Sequence, residues 1–166
     1  MLLRNRIFPV VALVVGVVAA ACGGGHSYKA GTPAATGQAP DCSAVPLDLV
    51  NRTLALTLTG PVAGSRPGGV VCTFAQQHGG ASVQQVLLNS NVDKATFALV
   101  RDGFKAANNP VKKISGWGDE AYAASVFGLA TSNNFAVRKG KVSVVITSTA
   151  DYDHLKKLMK ALLAKL

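Results

Sequence analysis

The chain has 166 residues, 17 Lys and Arg against 8 Asp and Glu, a formal net charge of +9, and 3 His. One domain is the natural reading of that length, and so few acids and histidines leave a hydrolase site short of parts. Taking Arg4 and Arg6 away with the N-terminal segment leaves 15 cations against 8 acids, near +7.

Residues 1–21 carry Arg4 and Arg6 with no acid, then an uncharged apolar run over 7–21 that ends on Ala19, Ala20 and Ala21. This order predicts a secretory signal peptide, and the run is shorter than the roughly 20 residues a membrane-spanning helix needs. Cys22 follows at the cut, resembling the lipobox of bacterial lipoproteins, in which the cysteine is lipidated and becomes the mature N-terminus. Ala19 stands at the third position before it, where lipoboxes more commonly have Leu. Residues 22–40 then read as the lipidated Cys and a tether, because Gly, Ala, Thr, Ser and Pro dominate and no apolar face can be buried. The 18 positions from 23 to 40 give a flexible chain an r.m.s. reach of about 20–25 Å. His26 is read as a solvated tether residue.

Residues 41–166 form a single expected domain of about 125 residues, enough for one core without a metal. With Cys22 spent on lipid, Cys42 and Cys72 remain as an even pair, which in an oxidising compartment predicts a disulfide. Closing this loop stabilises by about 3–4 kcal/mol on the chain-entropy account. A metal site at these cysteines lacks both the C-x-x-C spacing and a neighbouring His.

Pro46 suits a first helical turn, with Leu47, Val50 and Leu54 following at helical spacing. Asn51-Arg52-Thr53 has the form of a glycosylation sequon. The Gly- and Pro-rich stretch 60–69 predicts an irregular loop. Strands are expected over 70–76 and 81–88, turned by His78-Gly79-Gly80. Asn91 or Asp93 caps a helix to about Ala107 with Phe97, Val100 and Phe104 on one face, ended by Asn108-Asn109-Pro110. Further strands are expected over 111–115, 120–126 and 134–139, with a tight hairpin at Lys139-Gly140 into a strand over 141–147. The last helix is capped by Asp151. Its Leu155, Leu158, Met159, Leu162, Leu163 and Leu166 make one apolar stripe, with Lys156, Lys157, Lys160 and Lys165 outside it. A basic amphipathic helix can lie on a membrane; following a strand in a helix-poor domain, it is better explained as a cover for the sheet.

Taken together, Cys22, the polar tether, Cys42 opening a helix, Cys72 in a strand, the run Gly116-Trp117-Gly118-Asp119-Glu120-Ala121-Tyr122 and the strand Val137-Arg138-Lys139-Gly140-Lys141-Val142 resemble a group of actinobacterial lipoproteins. These carry a domain of unknown function with paired cysteines, and the layout is similar to extracytoplasmic sensor domains of some actinobacterial receptor kinases. The resemblance covers 41–166. It implies a cell-envelope location and an α+β fold with an antiparallel sheet; the elements read above put about five strands in that sheet, covered by the amphipathic C-terminal helix and one or two further helices. It brings no catalytic residues with it.

The run from Gly116 also matches G-x-G-x-x-A, but a dinucleotide site needs a helix after the glycines and an acid about 20 residues on. Here a strand follows, and Val137, Arg138 and Lys139 occupy the acid's place. The glycines are better read as permitting a bend, with Trp117 packed on the sheet or at a groove lip. No G-x-S-x-G elbow and no phosphate loop occur. His154 lies beside Asp151 and Asp153, which local helix capping explains. Asp119 and Glu120, adjacent in a strand, are expected on opposite sides.

The expected function is therefore an exported, lipid-anchored envelope protein with a non-enzymatic binding or accessory domain, on the outer side of the cell membrane. The alternative is a carrier holding a lipid or other apolar ligand in an internal cavity. Trp117 and Asp119 are the nominated ligand-binding positions, with no cofactor and no metal. Expected partners are the membrane, through the lipid on Cys22, and an envelope lipid, polymer or protein. An exported protein rarely meets nucleic acid, so the basic balance fits anionic headgroups or acidic wall polymers, over a background of ordinary solubility charge.

Overall fold

The structure is a computed structural model that describes residues 41–77, 84–128 and 130–165. The expected signal segment, Cys22, the tether with His26, and the turn at His78 lie outside the described residues, as does Leu166.

The described residues form an α+β fold: one antiparallel sheet of seven strands with three α-helices. After a single 3-10 turn at Cys42–Ala44 come α1 (Leu47–Leu54), β1 (Leu58–Arg66), β2 (Gly69–Gln76), β3 (Gln84–Asn89), α2 (Lys94–Ala106), β4 (Val111–Ile114), β5 (Glu120–Val126), β6 (Ser132–Lys139), β7 (Val142–Ser148) and α3 (Tyr152–Leu163). The spatial order is β1-β2-β3-β7-β6-β5-β4. Two meanders, β1 to β3 and β4 to β7, thus meet along the β3–β7 pair, where Val86 faces Ile146 and Leu88 faces Val144.

The sheet has seven strands rather than about five, and the clearest correction is β1. The stretch expected to be an irregular loop pairs with β2 from Leu58 opposite Gln76 to Arg66 opposite Gly69, with a register shift between Thr59 and Val62. Only Leu58 of this strand is buried. An edge strand with both faces near water needs no apolar alternation, and Pro61 sits where the register breaks, a position an edge strand tolerates. The other differences are smaller. The β6–β7 hairpin turns at Gly140 and Lys141, with Lys139 opposite Val142, one residue later than its expected place. On α2, Phe97 is buried, but Val100 is exposed because the helix covers only part of the sheet.

The helices take both faces of the sheet. On one face α1 and α3 cover the main core, where Val50, Cys72, Phe74, Phe135, Val144, Leu155, Leu158 and Met159 are fully buried. Each such large apolar side chain gains about 1.5–3 kcal/mol of transfer free energy over exposure. Asp151 caps α3 by accepting from the backbone N–H groups of Asp153 and His154, both at 3.0 Å. On the other face α2 packs a smaller cluster around Tyr122, with Phe97 and Phe104 rings at 5.2 and 6.1 Å. The Cys42–Cys72 disulfide is present and pins the start of the domain to β2. Asn51 adds a second tie: its Oδ1 accepts from the Leu58 N–H at 2.8 Å and its Nδ2 donates to the Leu58 carbonyl at 3.3 Å. The sequon asparagine is thus engaged in joining α1 to β1.

Candidate functional site

The nominated residues Trp117 and Asp119 sit on the bend between β4 and β5. Gly116 and Gly118 both adopt left-handed backbone, with φ +79° and +53°, a conformation that glycine enters without the Cβ penalty. The bend swings the Trp117 ring onto the α1/α3 face, where it meets Phe135 edge-on at 5.2 Å between ring centres. Trp117 is half-buried, and its outer side lines a hollow of about 550 Å³ with Gly116, Gly118, Lys139, Lys160 and Leu163. It therefore packs on the sheet and forms a groove lip at once.

Asp119 does something different. Its Oδ2 accepts from the Gly140 N–H at 2.8 Å and lies 3.3 Å from Arg138 Nη1, while its own N–H donates to the Arg138 carbonyl at 2.8 Å. Arg138 Nη1 in turn donates to the Gly140 carbonyl at 2.6 Å. The carboxylate is committed to holding the β6–β7 turn against the start of β5. Glu120 approaches the same guanidinium at 3.7 Å, so the two neighbouring carboxylates share one cation rather than diverging. Asp119 precedes β5, and the strand alternation that would separate the two does not reach it.

A second hollow, of about 330 Å³, lies further along α3 on the same face. Its floor includes Val111, Ile114, Ala123 and Phe135, and Lys112 and Lys156 stand at its sides. Tyr152 Oη and Ser125 Oγ are hydrogen-bonded within it at 3.1 Å. On the opposite face a hollow of about 470 Å³ opens between α2 and the sheet, lined by Leu87, Val92, Phe97, Val100, Tyr122 and Val145 with a polar margin from Asn89 and Ser143. Tyr122 also lines it, and its hydroxyl is fully buried without a hydrogen-bond partner. Burial pushes its pKa up to about 12, against a smaller opposing effect of Arg101.

Asp151, Asp153, His154 and Lys156 interact within the first turns of α3. His154 Nδ1 is 2.8 Å from Asp151 Oδ1, and the Asp151 carboxyl is held below its ordinary value first by the His154 backbone N–H and then by the His154 side chain. Asp153 pairs with Lys156 at 3.0 Å. Among the described residues no group of three or more His, Cys, Asp or Glu converges to hold a metal ion, and no helix is long and apolar enough to cross a membrane.

The sequence nominates Trp117 but not the lysines that line the same hollow. Lys139 lies in a hairpin and Lys160 on α3, and no sequence spacing connects either to the Trp117 bend. The one available signal was the i, i+4 spacing of Lys156 and Lys160, which puts them one above the other on a helix.

No protein-family model, curated protein or solved structure matches the chain.

Proposed function

We propose that this is an exported protein, anchored to the outer face of the cell membrane through lipid on Cys22, whose domain binds an envelope component without catalysis. The observation that carries the binding reading is the form of the hollows. The interior between the sheet and the α1 and α3 helices is filled by side chains at 0–1% exposure, such as Phe74, Phe135, Leu158 and Met159, whereas on that face a hollow opens on the surface beside Trp117. A surface hollow with an aromatic lip suits a partner that docks from outside. Asp119, Asp151 and Asp93 are already engaged in turn and cap hydrogen bonds, which leaves them occupied rather than poised for acid–base work.

Export is supported by the Cys42–Cys72 disulfide, since such bonds persist in oxidising compartments. The lipobox-like segment and the motif order supply the anchor and the likeness to actinobacterial envelope lipoproteins. Intact and peptide mass spectrometry of the membrane fraction tests it: the mature chain is expected to begin at a lipid-modified Cys22. A chain that begins elsewhere, or an unmodified Cys22, removes the anchor.

A second reading, carriage of an apolar ligand, draws on the hollow between α2 and the sheet. Its 470 Å³ falls within the roughly 300–1,000 Å³ of small-ligand sites. Native mass spectrometry of protein extracted from the producing cell separates the two: a co-purifying lipid favours carriage, and an empty protein favours docking.

A further inference from the structure

The two hollows on the α3 face lie in line along the helix, linked by the Trp117–Phe135 contact. Lys156 borders the first and Lys160, one turn further along α3, borders the second. Lys112 and Lys139 stand across from them on the sheet side. No acidic residue lines either hollow. Among the described residues Lys112, Lys139 and Lys160 make no ion pair, and only Lys156 does, with Asp153. The groove therefore has an apolar and aromatic floor between four lysines, three of which have no anion of their own.

We propose that this groove receives the headgroup end of an anionic phospholipid at the membrane surface, the lysines taking the phosphate and the Trp117–Ile114 floor taking the glycerol and first acyl carbons. The proposal rests on the binding-module reading above and names its partner. Three observations select this occupant. Four lysines, only one of which is paired with an acid, complement a negative headgroup, each lysine near an anionic surface adding roughly a fivefold gain in affinity. An apolar floor has nothing to offer a free phosphate or a polar polymer, but it matches the boundary region of a lipid, where an indole ring is well placed. The proposed lipid on Cys22 would keep the domain at the membrane surface, where local concentration makes a weak site effective. Recognition is by the groove and not by insertion of α3, whose Leu155, Leu158, Met159 and Leu162 are buried against the sheet at 0–1% exposure.

Trp117 is the only tryptophan in the chain, so its emission reports on the groove alone. The test uses the chain from residue 22 with Cys22→Ser, which removes the lipid as a cause of membrane binding. It is titrated with vesicles of equal parts phosphatidylglycerol and phosphatidylcholine, and with vesicles of phosphatidylcholine only. Co-sedimentation and Trp117 emission are both read, at low and high salt. The expected result is salt-sensitive binding to the phosphatidylglycerol vesicles with a blue-shifted emission, and little to phosphatidylcholine. Lys139→Gln/Lys160→Gln is expected to weaken binding by about 25-fold at fivefold per lysine. Lys94→Gln/Lys113→Gln, equal in charge but on the α2 side of the sheet, is expected to change it less than threefold, an allowance for general charge effects. Equal losses in the two double variants, binding without an emission change, or no preference for phosphatidylglycerol would each overturn the proposal. Mass spectrometry of Cys22 is a separate measurement, so failure of the anchor and failure of the groove are distinguishable.

Discussion

Asp119 accepts a hydrogen bond from the Gly140 backbone N–H at 2.8 Å across 21 residues of sequence. The same turn residue receives the Arg138 guanidinium on its carbonyl. One glycine is thus held at both of its polar atoms by an oppositely charged pair, and that pair closes the bend carrying Trp117 onto the β6–β7 hairpin. Asp119→Ala is expected to lower stability by about 1 kcal/mol, the value of a charge-assisted hydrogen bond reduced for a half-exposed site. Asp119→Asn keeps an acceptor for Gly140 and is expected to lose less than half as much. Urea unfolding of the three proteins measures the difference. If the alanine variant unfolds at the same midpoint as the parent, the clamp contributes nothing.

The two glycines of the bend separate a conformational requirement from a steric one. Both have left-handed φ, so an L-residue costs about 1–2 kcal/mol at either. A Cβ on Gly116 meets nothing, whereas one on Gly118 presses on the Arg138 carbonyl oxygen, the acceptor of the Asp119 N–H. Gly116→Ala is therefore expected to cost about 1–2 kcal/mol. Gly118→Ala should cost more, roughly 3 kcal/mol or above, once the packing strain is added. Thermal melts compare them, and equal losses would remove the close approach at Gly118 from the account.

Tyr122 carries a buried hydroxyl with no partner. Tyr122→Phe removes an unsatisfied polar group while keeping the ring between Phe97 and Phe104, and is expected to leave stability unchanged or raise it by about 1 kcal/mol. In the parent, the folded-state phenol titrates at about 12 against an ordinary value of 10.0. The unfolded chain therefore loses this proton first as pH rises. Stability is expected to fall between pH 10 and 12, by up to about 2 kcal/mol, and Tyr122→Phe should flatten that part of the profile. An identical alkaline profile in the two proteins would show that Tyr122 does not control it.

The disulfide spans 30 residues and ties the domain's first turn to a strand inside the sheet. Cys42→Ala/Cys72→Ala is expected to lose about 3–4 kcal/mol, in line with the closed-loop entropy. Cys72 is fully buried in the main core, so a void where the bridge stood could add to the loss. Denaturation with and without reductant gives the bridge's own share. Peptide mapping without reductant should recover the joined pair, and free thiols at both positions would contradict it.

What the amino-acid sequence determined was whatever depends on neighbours in the chain. The α3 stripe of Leu155, Leu158, Met159 and Leu162 emerges from 3.6-residue periodicity, Asp93 and Asp151 from capping chemistry, and Val144 with Ile146 from two-residue alternation. With Cys22 set aside for lipid, the remaining cysteines are expected as a pair, and Cys42 is joined to Cys72. Tertiary structure decided what depends on distant partners. It recruited 58–66 as an edge strand, because backbone pairing with β2 can replace the apolar pattern that the stretch lacks. It placed Asp119 and Glu120 around one guanidinium, since the bend at Gly116 and Gly118 sets Asp119 ahead of the strand. It also drew Lys139 and Lys160 to the same hollow as Trp117. Charge, unlike apolar periodicity, leaves no local mark of where it will converge, because lysines on any exposed face satisfy the same solvation requirement. Only the packing of α3 across the sheet turned scattered surface lysines into the margin of a groove.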